Sequence, residues 1–161
     1  MSTFPHPGRV DWIGLRPAPR VATRVVREVE AVANRGLTGD RTAERSRPGN
    51  DRQVTFIQAE HLAAMAALLR RPVDPAQARR NIVVSGINLL SLKGHTFRIG
   101  GARFEMTGDC APCSAMEAAL GPGGYNAMRG MGGITAIVIE GGRVAVGDAL
   151  TVEPSAAPVM A

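Results

Sequence analysis

"ITAIVIEGGRVAVGDALTVE", residues 134–153, is the stretch that decides the fold. It opens with an apolar β-type run, breaks at Gly141-Gly142, and continues as "RVAVGD" and "ALTVE". Apolar runs separated by a glycine pair predict a hairpin followed by a further strand. Upstream, "IVVSGINLLSLKGHTFRIGGARFEMTG" (82–108) alternates β-type segments with glycine breaks, which predicts short strands meeting at tight corners. Parallel βαβ units would need helices between the strands, so these short strands predict a barrel instead of a flat parallel sheet. The expected class is mainly β with peripheral helices, an α+β arrangement.

The helical signals are few. In "AEHLAAMAALLRR" (59–71), Leu62, Met65, Leu68 and Leu69 fall on one side of a helix that stops before Pro72. It follows "QVTFIQ", a short β-rich run. "DPAQARRN" (74–81) predicts a second short helix, with Asp74 as N-cap and Pro75 in the first helical position. "VATRVVREVEAVANRGLTGDR" (21–41) starts with alternating valines and then shifts to the spacing Val26, Val29, Val32, which predicts a strand and then a helix ending at Gly36.

Residues 1–20 hold four prolines and no period, and predict an extended arm in which Trp12, Ile13 and Leu15 pack as an anchor. Residues 21–154 then form one domain, and 155–161 a tail. A chain of 161 residues is long enough for one core without covalent staples.

The composition is that of an ordered soluble protein, 45% hydrophobic and 20% charged. The net charge is +5, and Lys93 is the sole lysine among 19 cationic residues. Arginine in that proportion suits an enzyme handling anionic ligands. Nucleic acid is excluded by the lack of a clustered basic stripe with stacking aromatics. No run approaches the roughly 20 apolar residues of a membrane span, and no signal peptide precedes the domain, so the expectation is a cytoplasmic protein with no membrane partner.

Both cysteines lie in "CAPCSAMEAALGPGGYNAMRGMGG" (110–133), followed by a loop with six glycines. Ser114 and Glu117 have capping-box spacing, which would put Cys113 immediately before a helix N-terminus, where the backbone favours a thiolate. Cytoplasmic thiols are normally reduced, so a structural disulfide is unexpected. Zinc would need four ligands, and His6, His61 and His95 are scattered without ligand spacing. A thioredoxin-type redox pair belongs after a strand in a βαβ pattern, which this sequence does not show. Two buried, inert thiols are the plainest alternative. The glycines permit either close approach of backbone N–H groups to a ligand or a tight barrel corner.

Several stretches together resemble the MOSC domain, named after the C-terminal region of molybdenum cofactor sulfurase: "GLTGDR" (36–41), "RQVTFIQAEHL" (52–62), "RRNIVVSGINLLSLKGHTFRIG" (79–100), "CAPCSAMEAALGPGGYNAMRGMGGI" (110–134) and "VAVGDAL" (144–150). The likeness is to small stand-alone bacterial members. It implies a MOSC-type β-barrel with peripheral helices, and the molybdenum cofactor, molybdopterin, as the group handled. In that family one cysteine is the functional sulfur, carrying a persulfide or ligating molybdenum, and the family's "PC" falls on Pro112-Cys113. Cys113 is therefore the candidate catalytic residue and metal ligand.

Many relatives carry histidines where this chain has Thr42 and Met131. Candidate cofactor-binding residues are Arg41, Arg129, Asn126, Gly124 and Gly132, with Asp40 as a partner for Arg41 or Arg52. Tyr125 is expected in the core, His61 in a structural role and His95 exposed at a corner.

Three functions follow. The first reduces an N-oxygenated small-molecule substrate at molybdenum, using a separate electron-donor protein. The second carries a persulfide for a cofactor-assembly partner, and the third is a non-catalytic anion-binding barrel. The short stretch before the domain implies either a homodimer that completes the pocket or a looser hold on the cofactor.

Overall fold

The computed structural model describes residues 3–45, 47 and 49–154, and the expected tail at 155–161 lies outside the described residues. Strands run over Gly8–Leu15 (β1), Arg24–Val26 (β2), Glu28–Val32 (β3), Gly36–Leu37 (β4), Val54–Gln58 (β5), Ile82–Ser85 (β6), Thr96–Ile99 (β7), Ala102–Asp109 (β8), Ile134–Glu140 (β9), Gly142–Ala145 (β10) and Ala149–Val152 (β11). Helices occupy Arg41–Glu44 (α1), Ala59–Leu69 (α2), Ala115–Leu120 (α3) and Gly124–Met128 (α4). Single 3-10 turns lie at Pro75–Ala78 and Leu89–Leu92.

The strands β11, β7, β8, β9, β5, β6 and β1 pair in that order, and β1 returns to β11 through Gly8 opposite Leu150, closing a seven-stranded barrel. The expected β-barrel with peripheral helices is therefore observed. Side chains of period two fill its interior: Ala102, Phe104 and Met106 from β8, and Ile134, Ala136 and Val138 from β9. Phe56, Phe97 and Phe104 meet at its centre with ring centroids 5.5 Å apart in each pair. Each ring is fully buried, so truncating one to alanine would cost about 3–5 kcal/mol.

A second apolar layer lies outside the barrel, where Ile57 and Val83 pack with Leu62 and Met65 of α2, Met116 and Leu120 of α3, and Met128 of α4. β5 and β6 are thus covered on both faces, which accounts for their unbroken apolar runs. Leu68, expected on the packed side of α2, is exposed, while Leu62 and Met65 carry the burial. The turn at 75–78 forms as the sequence indicates, with the Asp74 side chain accepting from Ala76 N–H and that of Gln77 from Asp74 N–H.

Four expectations are corrected. The stretch read as an arm outside the domain contributes β1, an integral barrel strand with Val10 and Ile13 fully buried. The helix expected near Val26–Val32 is β3 instead, because Val29 and Ala31 point inward while Glu28 and Glu30 point outward, a period of two. The hairpin at Gly141-Gly142 does not form: β10 pairs with β3 in a separate three-stranded sheet, and β11 pairs with β7 and β1. A helix does link two parallel strands, since β5 and β6 are parallel and α2 lies between them in the chain.

Asn81 joins three strands where they approach the candidate site. Its Oδ1 accepts from the N–H and hydroxyl of Thr55 at 3.1 and 3.2 Å, and its Nδ2 donates to Gly14 O and Asp40 Oδ1 at 3.1 and 3.2 Å. Asn81→Ala would orphan these buried groups and should lower stability by about 3 kcal/mol in urea unfolding. Asn88→Ala, which removes an exposed cap to Leu90 N–H, should cost about 1 kcal/mol or less. Equal losses would contradict the role given to Asn81.

Candidate functional site

The cysteine loop and the glycine loop are held together by one buried cation. Arg80, between the 3-10 turn and β6, donates through Nε to Gly132 O at 2.7 Å and through Nη2 to Cys110 O and Ala111 O at 3.3 Å each. Its Nη1 donates to Ala78 O at 3.2 Å. Burial pushes the Arg80 guanidinium below its ordinary pKa, with Cys110 acting in the opposite direction. The loops also meet through Cys110 N–H, which donates to Gly133 O at 2.9 Å. A Cβ on Gly132 would lie 2.0 Å from Cys110 O, so only glycine allows the two backbones to approach this closely.

This arrangement gives the thiols different environments. Cys110 is buried and Cys113 exposed, and neither is in a disulfide. Arg52 Nη2 lies 3.7 Å from Cys110 Sγ. The capping box expected ahead of α3 does not form. Ser114 makes no side-chain cap, and Glu117 instead accepts from the N–H groups of Gly123 and Tyr125 at the start of α4, each at 3.0 Å.

Beside Arg52 opens a cleft of about 320 Å³, walled by Arg16, Arg41, Arg45, Arg52 and Thr42, with Thr55 and Asn81 also lining it. Asp40 organises one side from a buried position, accepting from Arg16 N–H at 2.8 Å, Thr42 N–H at 3.2 Å and Asn81 Nδ2 at 3.2 Å. It bonds to none of the expected side chains of Arg41 or Arg52; its partners are backbone amides and Asn81. Burial lowers the Arg16 pKa; Asp40 opposes the shift, and Arg79 and Arg41 add to it. The Nε of Arg16 is buried and has no hydrogen-bond partner among the described residues. Buried donors are almost always paired in native proteins, by protein or by ordered water, so this one is open to an incoming acceptor.

A second cleft, of about 380 Å³, lies on the glycine-loop side and is lined by Cys110, Pro112, Tyr125, Arg129, Gly132 and Leu90 among others. Of the candidates read from sequence, Arg41 lies in the arginine cleft, and Arg129 and Gly132 lie in this second one. Asn126 is exposed on α4, where its carbonyl accepts from Arg129 N–H at 3.2 Å. Gly124 is a packing residue: a Cβ there would lie 2.4 Å from Leu120 Cβ. Tyr125, expected in the core, is 41% exposed. Cys113 stands on the loop outside the walls of both clefts. Thr42 lines the arginine cleft and Met131 packs on the outer apolar layer. His95 is half-buried against Phe4, with ring centroids 5.7 Å apart.

Sequence reasoning missed Arg16 and Arg80 and gave Arg52 only a minor part. The one available signal was the position of Arg16 directly after the apolar run that became β1, which puts it at the barrel rim. Among the described residues, no three histidine, cysteine or acidic side chains gather to hold a metal, and no helix is long and apolar enough to cross a membrane.

The MOSC domain family model matches residues 43–151, and the chain belongs to that family, which is associated with the molybdenum cofactor. Solved structures share the fold. The YuaD protein of Bacillus subtilis superposes with a TM-score of 0.74 at 21% identity, covering 91% of this chain and 96% of its own. YiiM of Geobacillus stearothermophilus gives 0.74 at 17% identity over 92% and 76% of the respective chains. YiiM of Escherichia coli gives 0.71 at 22% identity over 96% and 73%. A search among curated proteins returns no match.

Two measurements check this geometry. An aromatic disulfide reagent should modify Cys113 rapidly and Cys110 more slowly by roughly tenfold or more, with the fast phase lost in Cys113→Ser. Two fast thiols would contradict the burial of Cys110. The second concerns acid stability. The Gly123 and Tyr125 N–H groups hold the Glu117 carboxyl below its ordinary value of 4.5. A depressed native pKa stabilises above the unfolded value, and this is lost as the pH falls through the native one. From about pH 6 to about pH 3 the melting temperature of Glu117→Gln should therefore fall less steeply than that of the wild type. Parallel slopes would contradict the contact.

Proposed function

We propose, from membership of the MOSC domain family, that this chain binds the molybdenum cofactor, with the arginine cleft taking its phosphate and Cys113 supplying the protein sulfur. The observation that carries this reading is the buried, unpaired Nε of Arg16 in a cleft walled by further guanidinium groups. Guanidinium forks suit phosphate oxygens, so the arginine cleft fits the group's phosphate, and an accessible thiol on the neighbouring loop suits a soft metal. When bound, the cofactor supplies two-electron reduction of an N-oxygenated small molecule, with electrons from a separate donor protein.

The chain's own residues do the holding. Arg41 and Arg52 bind the anionic end, while Asp40 fixes the backbone at Arg16 and Thr42 and so sets the cleft's shape. Arg80 locks the loop that carries Cys113. Leu90 and Tyr125, in the second cleft, give a small-molecule substrate an apolar wall, and Arg129 gives it a cation.

A second reading, in which Cys113 carries a persulfide for a cofactor-assembly partner, is favoured by the exposure of that thiol. Metal and pterin analysis of protein expressed with molybdate separates the two. Wild type and Cys110→Ser should retain molybdenum, while Cys113→Ser should lose it roughly tenfold or more and Arg52→Gln should lose pterin. A persulfide on Cys113 without molybdenum would transfer the assignment to the carrier. Equal loss in both cysteine variants would mean a shared dithiol site and contradict the role given to Cys113 alone.

A further inference from the structure

We propose that Cys110, the buried thiol, is a positioning residue for the arginine cleft: its sulfur holds the Arg52 guanidinium in the pose that meets a phosphate. This rests on the reading of that cleft as the cofactor's phosphate site.

Arg52 lies in the irregular stretch just before β5, where the backbone is anchored. Its N–H donates to Asn50 Oδ1 at 3.0 Å. The next residue, the buried Gln53, donates through Nε2 to Asn50 O and accepts at Oε1 from Val138 N–H of β9, each at 3.0 Å. The side chain of Arg52 has no such anchorage, since the residue is exposed at the wall of the cleft. Among the described residues, the one hydrogen-bond acceptor that its guanidinium meets is Cys110 Sγ, 3.7 Å from Nη2. A repulsive force acts against that pose, because the buried Arg80 guanidinium stands close enough for the two cations to oppose each other. Without the sulfur, a long exposed arginine would spread over many rotamers.

Cys110 is held firmly enough to counter this. It is 2% exposed, its N–H donates to Gly133 O at 2.9 Å, and its carbonyl accepts from Arg80 Nη2 at 3.3 Å. The backbone is therefore fixed on both sides of the Cα that carries the sulfur. Sulfur is a weak acceptor, but here it has only to bias the rotamers of Arg52, with no second acceptor competing for the fork. A guanidinium already oriented loses less freedom when it closes on phosphate oxygens, so the contact is expressed as anion affinity. The two cysteines thus have separate tasks: Cys113 is accessible, and Cys110 acts through Arg52. Position 110 needs a small side chain with an acceptor atom, which serine supplies and alanine does not.

Calorimetric titration of the purified chain with inorganic phosphate tests the proposal. Arg52→Gln should weaken binding roughly tenfold and Cys110→Ala roughly fivefold, whereas Cys110→Ser should stay within about twofold of the wild type. Adding Cys110→Ala to Arg52→Gln should change affinity by no more than about twofold, because the sulfur acts only through the guanidinium; a merely structural role would lower affinity in either background. Nitrogen relaxation at Arg52 Nε gives a readout without ligand, with motion restrained in wild type and Cys110→Ser and released in Cys110→Ala. Melting curves identify a variant that fails to fold, and Cys110→Val, which fills the space without an acceptor, then takes the place of Cys110→Ala. Wild-type affinity in the acceptor-free variant, or losses that add to those of Arg52→Gln, would overturn the role of Cys110 and leave the cleft reading standing. Phosphate binding unaffected by Arg52→Gln would contradict the cleft reading itself, and the role of Cys110 would fall with it.

Discussion

The candidate site depends on a cation that solvent barely reaches. Arg80 is buried beside β6 and satisfies carbonyls from Ala78, Cys110, Ala111 and Gly132, groups that belong to three separate segments. A buried guanidinium is costly unless its donors are paired, and carbonyls at loop ends are costly unless something donates to them. Each requirement meets the other here. The loop carrying Cys113 is consequently fixed against the glycine loop although neither belongs to a long regular element, and the charge beside Cys110 comes from the backbone anchor itself as well as from Arg52.

The barrel positions the rest. Because β5 and β6 are parallel and covered on both faces, their chain ends can be held by the Thr55–Asn81 contacts, which pass the constraint on to Asp40 and hence to Arg16 and Thr42. The cleft thus has a polar frame on the Arg16 and Thr42 side, although all four of its arginines come from short or irregular segments. Positive charge gathered this way costs folding energy through self-repulsion; Asp40 offsets part of it at Arg16, and an anionic ligand would relieve more.

Much of the fold was legible because strands announce themselves locally. β9, β10 and β11 lie where apolar alternation and glycine breaks put them, yet the pairing of β10 with β3 is a contact across more than a hundred residues, and no pattern inside 134–153 encodes it. β3 was misread because Val26, Val29 and Val32 satisfy a helical spacing, while the alternation of Glu28 and Glu30 with Val29 and Ala31 was the deciding signal. At the site, the cysteine loop and Arg41 were legible from motif. Arg16 and Arg80 were not, since arginine is ordinarily a surface residue and only the assembled structure shows these two partly or wholly enclosed. Glu117 carried a capping signal, but the N–H groups of the following helix captured its carboxylate.

The central claim is that Cys113, on a loop fixed by Arg80, is the sulfur this domain presents to the metal. X-ray absorption at the molybdenum edge tests it most directly, on protein purified with its cofactor. The account predicts a protein sulfur in the metal's coordination shell that is lost in Cys113→Ser and retained in Cys110→Ser. An unchanged sulfur shell in Cys113→Ser would contradict it.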